Sequence, residues 1–276
     1  MADWTKKNAA QLDAPIGISG LFLCTQDTGE TTFRTIKQKW KGGQVVLMAP
    51  VMNAFQQDIF LSIILLSSKL GQVSKPTHSL LPKGMKDLGL AEDRDVISMN
   101  ISYAQLADVA DKANDGRFRE SVRDAIQMLQ SCTVRGQGTD ESYATSKLID
   151  GSCGVGKLGI HITLCWRLAL GILGKGIYGA ISLEERQALP TEVGRVMHAW
   201  VNCTLGAKSN LKISEDKLSN HIFSHAKLTD RAERKRLQRI REAAADIGKL
   251  SGWMVTSKDG IFEFNKRRAV AHIKDF

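Results

Sequence analysis

TDRAERKRLQRIREAAADI, Thr229 to Ile247, decides how this chain is read. At 100° per residue, Leu237, Ile240, Ala243, Ala244 and Ile247 fall on one side and can enter a core. Arg231, Arg234, Lys235, Gln238, Arg239 and Arg241 gather on the other. Thr229 suits the N-cap and Asp230 the first turn, where a carboxylate meets the positive end of the helix dipole. From Lys227 to Arg241 there are seven basic residues and two acidic ones. The stretch predicts a basic helix that sits in the major groove of double-stranded DNA. Arg can grip guanine O6 and N7 with paired hydrogen bonds, and Gln can do the same for adenine N6 and N7. Early residues of such a helix reach base edges, which favours Arg231, Arg234, Lys235 and Gln238. The remaining cations would meet phosphates. A solvated, charged helix face is the plain alternative. The neighbouring sequence weighs against it.

On the N-terminal side, Ser214 can cap a helix holding Leu218 and Ile222. On the C-terminal side, Gly248 to Gly252 ends the basic helix. Trp253 to Thr256 and Ile261 to Asn265 then read as two strands around the turn Lys258-Asp259-Gly260. Helix, turn, helix and hairpin is the order of a winged helix. Lys258 at the wing, and Lys266, Arg267 and Arg268 after its second strand, add candidate backbone contacts. Upstream, Ile177 to Ile181 reads as a strand, Ser182 caps a short helix, a longer helix runs from Thr191 to about Thr204, and Gly206 to Asn210 is a turn.

The first half repeats this order. Ser102 caps a helix with Tyr103, Leu106 and Val109. Phe118, Val122, Ala125, Ile126 and Leu129 mark the buried face of a second helix. Its polar face holds Arg119, Arg123 and Gln127, with charge nearly balanced, as weaker candidates for DNA contact. Cys132–Gln137, Tyr143–Ile149 and Lys157–Leu164 read as strands. Earlier, Leu21–Leu23 and Val45–Leu47 suggest short strands, and Phe33–Trp40 an edge strand. Met52, Phe55, Ile59, Ile63 and Leu66 have helical spacing, and Gly71 to Gly89 reads as a loop. The expected fold is α+β, with two tandem winged-helix domains. A polar arm occupies residues 1–14, the first domain 15–165, and the second, main DNA-reading domain 166–276.

Charge follows the same division. The chain has 276 residues and a formal charge of +9. Residues 1–165 hold 18 basic and 17 acidic side chains, and the remainder 20 and 12. The excess cations belong to the half with the basic helix, as a polyanion-binding face requires. The five cysteines include no CxxC pair, which argues against a zinc site or a disulfide framework. The start, MADWTKK, lacks the apolar run of a signal peptide, and Ile59–Leu66 is too short to span a bilayer. A cytoplasmic bacterial protein with no membrane partner is expected.

Other chemistry is weakly signalled. Gly151 to Lys157 matches GxxxxGK, most of a phosphate-binding loop. Leu158 stands where Ser or Thr would bind Mg²⁺, and the following residues alternate as a strand rather than opening a helix. His221 and His225 lie at i and i+4 without a third ligand, and His198 reads as packing. No Ser-His-Asp or Cys-His arrangement occurs. No enzyme, metal or cofactor is expected.

Arg234 to Ala243 and Ser251 to Val255 resemble the C-terminal domain of RepC, the iteron-binding replication initiator family of IncQ-type plasmids. Arg195–His198 and Gly206–Ser214 resemble the same family, and Gly20–Phe22 and Leu47–Leu66 are similar in pattern. The resemblance implies two winged helices that bind direct repeats, the iterons, at a plasmid origin. It also implies opening of an AT-rich region and recruitment of helicase and primase, without enzymatic activity. TrfA-type initiators share this plan more distantly. A monomer or a homodimer would satisfy the reading. A winged-helix transcriptional regulator without origin melting is the alternative.

Overall fold

The computed structural model describes residues 9–24, 33–40, 43–74, 95–138, 143–153, 159–174, 178–205, 210–223 and 229–266. The fold is α+β, with antiparallel sheets. In the first half the elements are β1 (Ala9–Asp13), α1 (Ala14–Ile18), β2 (Phe33–Trp40), β3 (Gly43–Pro50), α2 (Ala54–Leu70), β4 (Gln72–Ser74), β5 (Val96–Ile101), α3 (Tyr103–Ala110), α4 (Gly116–Ser131), β6 (Thr133–Gly138), β7 (Tyr143–Lys147), β8 (Ile149–Cys153) and β9 (Ile160–Leu164). The second half has α5 (Trp166–Ile172), β10 (Tyr178–Ser182), α6 (Leu183–Gln187), α7 (Glu192–Leu205), β11 (Asn210–Ser214), α8 (Glu215–Ile222), α9 (Asp230–Gly248), β12 (Trp253–Lys258) and β13 (Ile261–Lys266).

One arrangement is used twice. A long helix (α2 or α7) precedes a strand (β5 or β11), two helices (α3–α4 or α8–α9) and a hairpin (β8–β9 or β12–β13). In both halves the last strand lies between the other two, in the orders β5-β9-β8 and β11-β13-β12. Local chemistry sets the helix starts. Ser102 forms a reciprocal capping box with Gln105, and Asp115 accepts from the Phe118 N–H at 2.7 Å. The wing turn places Asp259 and Gly260 at φ 52° and 72°, the left-handed pair that closes a two-residue hairpin.

The first half departs from a simple winged helix. The region expected as one run from Tyr143 to Ile149 is split at Leu148. Its N–H donates to Cys132 O at 2.8 Å, and its carbonyl accepts from Cys165 N. The chain therefore changes sheets there. β6 and β7 extend β2–β3 in the order β2-β3-β6-β7, while β8 and β9 join β5 and β4. β2 is an edge strand, as expected. Leu21–Leu23 makes only an isolated bridge, Phe22 to Met52. β4 forms where a loop was expected from Gly71, and the rest of that loop, from residue 75, lies outside the described residues.

The N-terminal arm is also corrected. Residues 9–13, expected in a polar arm, form β1, which is buried from Ala10 to Asp13 and pairs antiparallel with β10. Gln11, central in β1, lies opposite Ala180, central in β10. Alternating polar residues disguise this strand. Both faces are covered, because α2 and α5 pack against it. Gly179 of β10 makes that packing close: a Cβ there would meet the Cys203 backbone of α7 at 2.6 Å.

Among the described residues, three ion pairs cross between the halves, with Asp58 shared by Arg186 and Arg195. Arg186 of α6 is fully buried, and its Nε donates to Asp58 Oδ1 of α2 at 2.6 Å. Its other nitrogens donate to the carbonyls of Arg195 and Ala54. Arg167 Nη2 lies 3.1 Å from Asp13 Oδ2. Burial raises the Asp13 carboxyl to about 6, with Arg167 pulling the other way. Such pairs cost desolvation, so they fix which elements meet more than they add net stability.

Candidate nucleic-acid interface

α9 begins as its sequence dictates. Thr229 Oγ1 accepts from the Ala232 N–H, and Asp230 and Glu233 occupy the first turn. Ile240, Ala243, Ala244 and Ile247 are buried, and Leu237 is half-buried. The four buried residues join Leu218 and Ile222 of α8, Val196 and Trp200 of α7, and Phe262 and Phe264 of β13 in one core. This packing holds the outer face rigidly outward. Arg231, Arg234, Lys235, Gln238, Arg239 and Arg241 are all exposed there.

Several of these side chains are held in place. Arg236 and Arg239 lie over the Phe223 ring at 5.1 and 5.4 Å from its centroid. A cation over a ring face keeps its charge while losing freedom. Arg241 forms a fork with Glu215 at the start of α8, its Nη2 2.7 Å from Oε2 and its Nε 3.0 Å from Oε1. Gln238 donates to Glu242 Oε1 at 2.9 Å, and Arg234 Nε donates to the Asp230 carbonyl at 3.3 Å. The Gln238 and Arg234 bonds are exposed helix-surface contacts, weak enough to be exchanged for a ligand, whereas the Arg241 fork holds a buried carboxylate.

The hairpin contributes less than expected. Lys258 is exposed at its turn. Lys266 faces inward instead. Its ammonium lies 2.9 Å from Glu185 Oε2, 3.0 Å from Asn202 Oδ1 and 4.7 Å from the Trp253 ring centroid. Arg267 and Arg268 lie outside the described residues. Glu185 Oε2 also accepts from Trp253 Nε1 at 3.0 Å and meets buried His198 Nε2 at 2.8 Å. Burial works to raise the Glu185 pKa, but His198 and Lys266 outweigh it and bring it to about 2. Burial lowers His198. The cluster clamps the hairpin to α6 and α7. No local sequence signal pointed to it, since its members come from four separate elements. His198 does belong to packing, as expected.

On α4, Arg123 and Gln127 are exposed and Arg119 is half-buried. Arg119 Nε donates to Asn114 Oδ1 at 2.9 Å, and Arg123 Nε to the Tyr103 hydroxyl at 3.2 Å. Glu120 and Asp124 are exposed on the same helix, so its outer charge is mixed. The GxxxxGK segment begins in β8, and the next described element is the antiparallel strand β9, not a helix. His221 stacks on Trp200 at 4.5 Å, while His225 lies outside the described residues. Among the described residues no group of three potential metal ligands occurs, and no helix is long and apolar enough to cross a membrane.

Fold and surface together define an α+β protein with a twice-used helix-and-hairpin arrangement and one strongly cationic exposed helix. The family model of replication protein C (RepC) matches residues 85–268, two thirds of the chain, and the chain belongs to that family. Two crystal structures of domains 2 and 3 of RctB share the fold. One is 8% identical with a TM-score of 0.51, covering 93% of this chain and 99% of that one. The other is 9% identical with a TM-score of 0.52, covering 91% and 96%. No curated protein matches the sequence.

Proposed function

We propose that this chain is a plasmid replication initiator that binds iteron repeats at the origin and promotes its opening. The observation that carries this reading is α9: a rigidly packed helix presents Arg231, Arg234, Lys235 and Gln238 together, in a member of the replication protein C family. These four read base edges. Arg239, Arg241 and Lys258 meet phosphates, and Arg267 and Arg268 follow the wing. Lys266 is assigned to the hairpin clamp instead.

The repeated topology supports two tandem winged-helix units, divided near Cys165, with β1 and β10 joining them. The first unit then lays α4 on DNA through Arg119, Arg123 and Gln127, with fewer net charges. The protein works without catalysis, delivering helicase and primase to the opened strand.

Permanganate footprinting on the parental plasmid origin tests the reading. Unpaired thymines in an AT-rich segment beside the bound repeats are expected when the protein and its partners are added. Protection of the repeats with no unpaired thymines would make the protein a transcriptional regulator instead.

A further inference from the structure

The sheet β2-β3-β6-β7 has one buried face and one open one. Val45, Leu47, Ala49 and Val134 point into the core, where α4 packs on β3. The opposite parity points outward: Phe33, Thr35, Lys37 and Lys39 on β2, Gln44, Val46 and Met48 on β3, Thr133 and Arg135 on β6, and Thr145 and Lys147 on β7. Met48 stands opposite Thr35 on one side and Thr133 on the other, and Phe33 is its diagonal neighbour. Phe33 and Met48 are 56% and 55% exposed, among the most exposed large apolar side chains described. Lys37 lies opposite Val46, and Val46 opposite Arg135. An apolar centre is thus rimmed by the exposed cations Lys37, Lys39 and Lys147. No described outward residue of these strands is acidic. Lys147 lies 3.9 Å from Asp150 of β8, an exposed pair that offsets little.

We propose that this face docks an acidic protein segment with an apolar ridge, such as an amphipathic helix carrying Asp and Glu along both flanks. An apolar centre with a charged rim is the anatomy of a protein interface, and a rim of exposed lysines selects the opposite sign. A second copy would bring the same charge against itself. A duplex groove does not admit a four-stranded sheet, and a single strand needs several rings to stack on. Phe33 is the only ring among the described outward side chains. α4 packs on the other side of this sheet, so DNA laid on the outer side of α4 would leave this face open.

The test uses the full chain and a fluorescein-labelled helical peptide of about 20 residues, with Leu at i, i+3, i+4 and i+7 and Glu elsewhere. A Lys-for-Glu peptide and a labelled oligo-dT of similar length serve as further probes. The acidic peptide should bind. Met48→Glu, Phe33→Ser and the pair Lys37→Glu/Lys39→Glu should each weaken it about tenfold or more. Lys112→Ala, an exposed cation after α3 and off this sheet, should leave it unchanged. Phe33→Ser keeps the test open should Met48→Glu fail to fold by circular dichroism. No binding, or binding indifferent to all three changes, would overturn the proposal. So would oligo-dT binding, or a dimer in sedimentation, that these same changes abolish.

Discussion

Asp58→Ala is expected to destabilise the protein by about 3–5 kcal/mol in urea unfolding. The arginine left behind explains the size. The Arg186 side chain is 1% exposed and ion-paired to Asp58 at 2.6 Å. Truncating the carboxylate strands a buried guanidinium that keeps only its two carbonyl acceptors. Arg195, 3.5 Å from the other carboxylate oxygen, loses the same partner. A typical domain has about 5–15 kcal/mol in total, so the loss is a large share. Replacing both partners by apolar residues, Asp58→Leu with Arg186→Met, should recover much of it, because no unpaired charge remains. A single-variant loss under about 1 kcal/mol would show that the pair is solvated and does not join the halves.

Arg234→Ala and Gln238→Ala are each expected to weaken binding to the origin repeat by about 1–3 kcal/mol, or roughly 5- to 150-fold. Neither change should unfold the protein, since both side chains are exposed and make only helix-surface contacts. Each should also relax preference at one base position, because a bidentate contact is lost there. Arg239→Ala should act differently. It weakens all duplexes alike and lowers the salt slope by about 1, as a phosphate contact does. Full affinity and full base preference in both Arg234→Ala and Gln238→Ala would remove these residues from base reading.

α9 was legible because everything that defines it is local. The cap at Thr229, the apolar period through Ile247 and the charged outer face all lie within one stretch, and its core face packs as its period requires. Helices α2, α3 and α4 were legible for the same reason. The strands that escaped depend on distant partners. β11 is five residues long and exists because β13 pairs with it. The sheet change at Leu148 depends on Cys132 and Cys165. β1 hides among polar residues and is a strand only against β10. Charges mislead in the same way. Lys266 counts as a surface cation in sequence, yet Glu185, 81 residues away, turns it inward. Asp58 and Arg186 are separated by 128 residues, with no pattern to connect them.

The proposed role of α9 is to read DNA sequence and not merely to attract a polyanion. The most direct measurement is a titration of the full chain against two labelled duplexes at one fixed, near-physiological salt concentration. One carries the direct repeats of the parental origin, and the other the same bases scrambled. The repeat duplex should bind about 10³-fold tighter or more. Equal affinity for the two would contradict it.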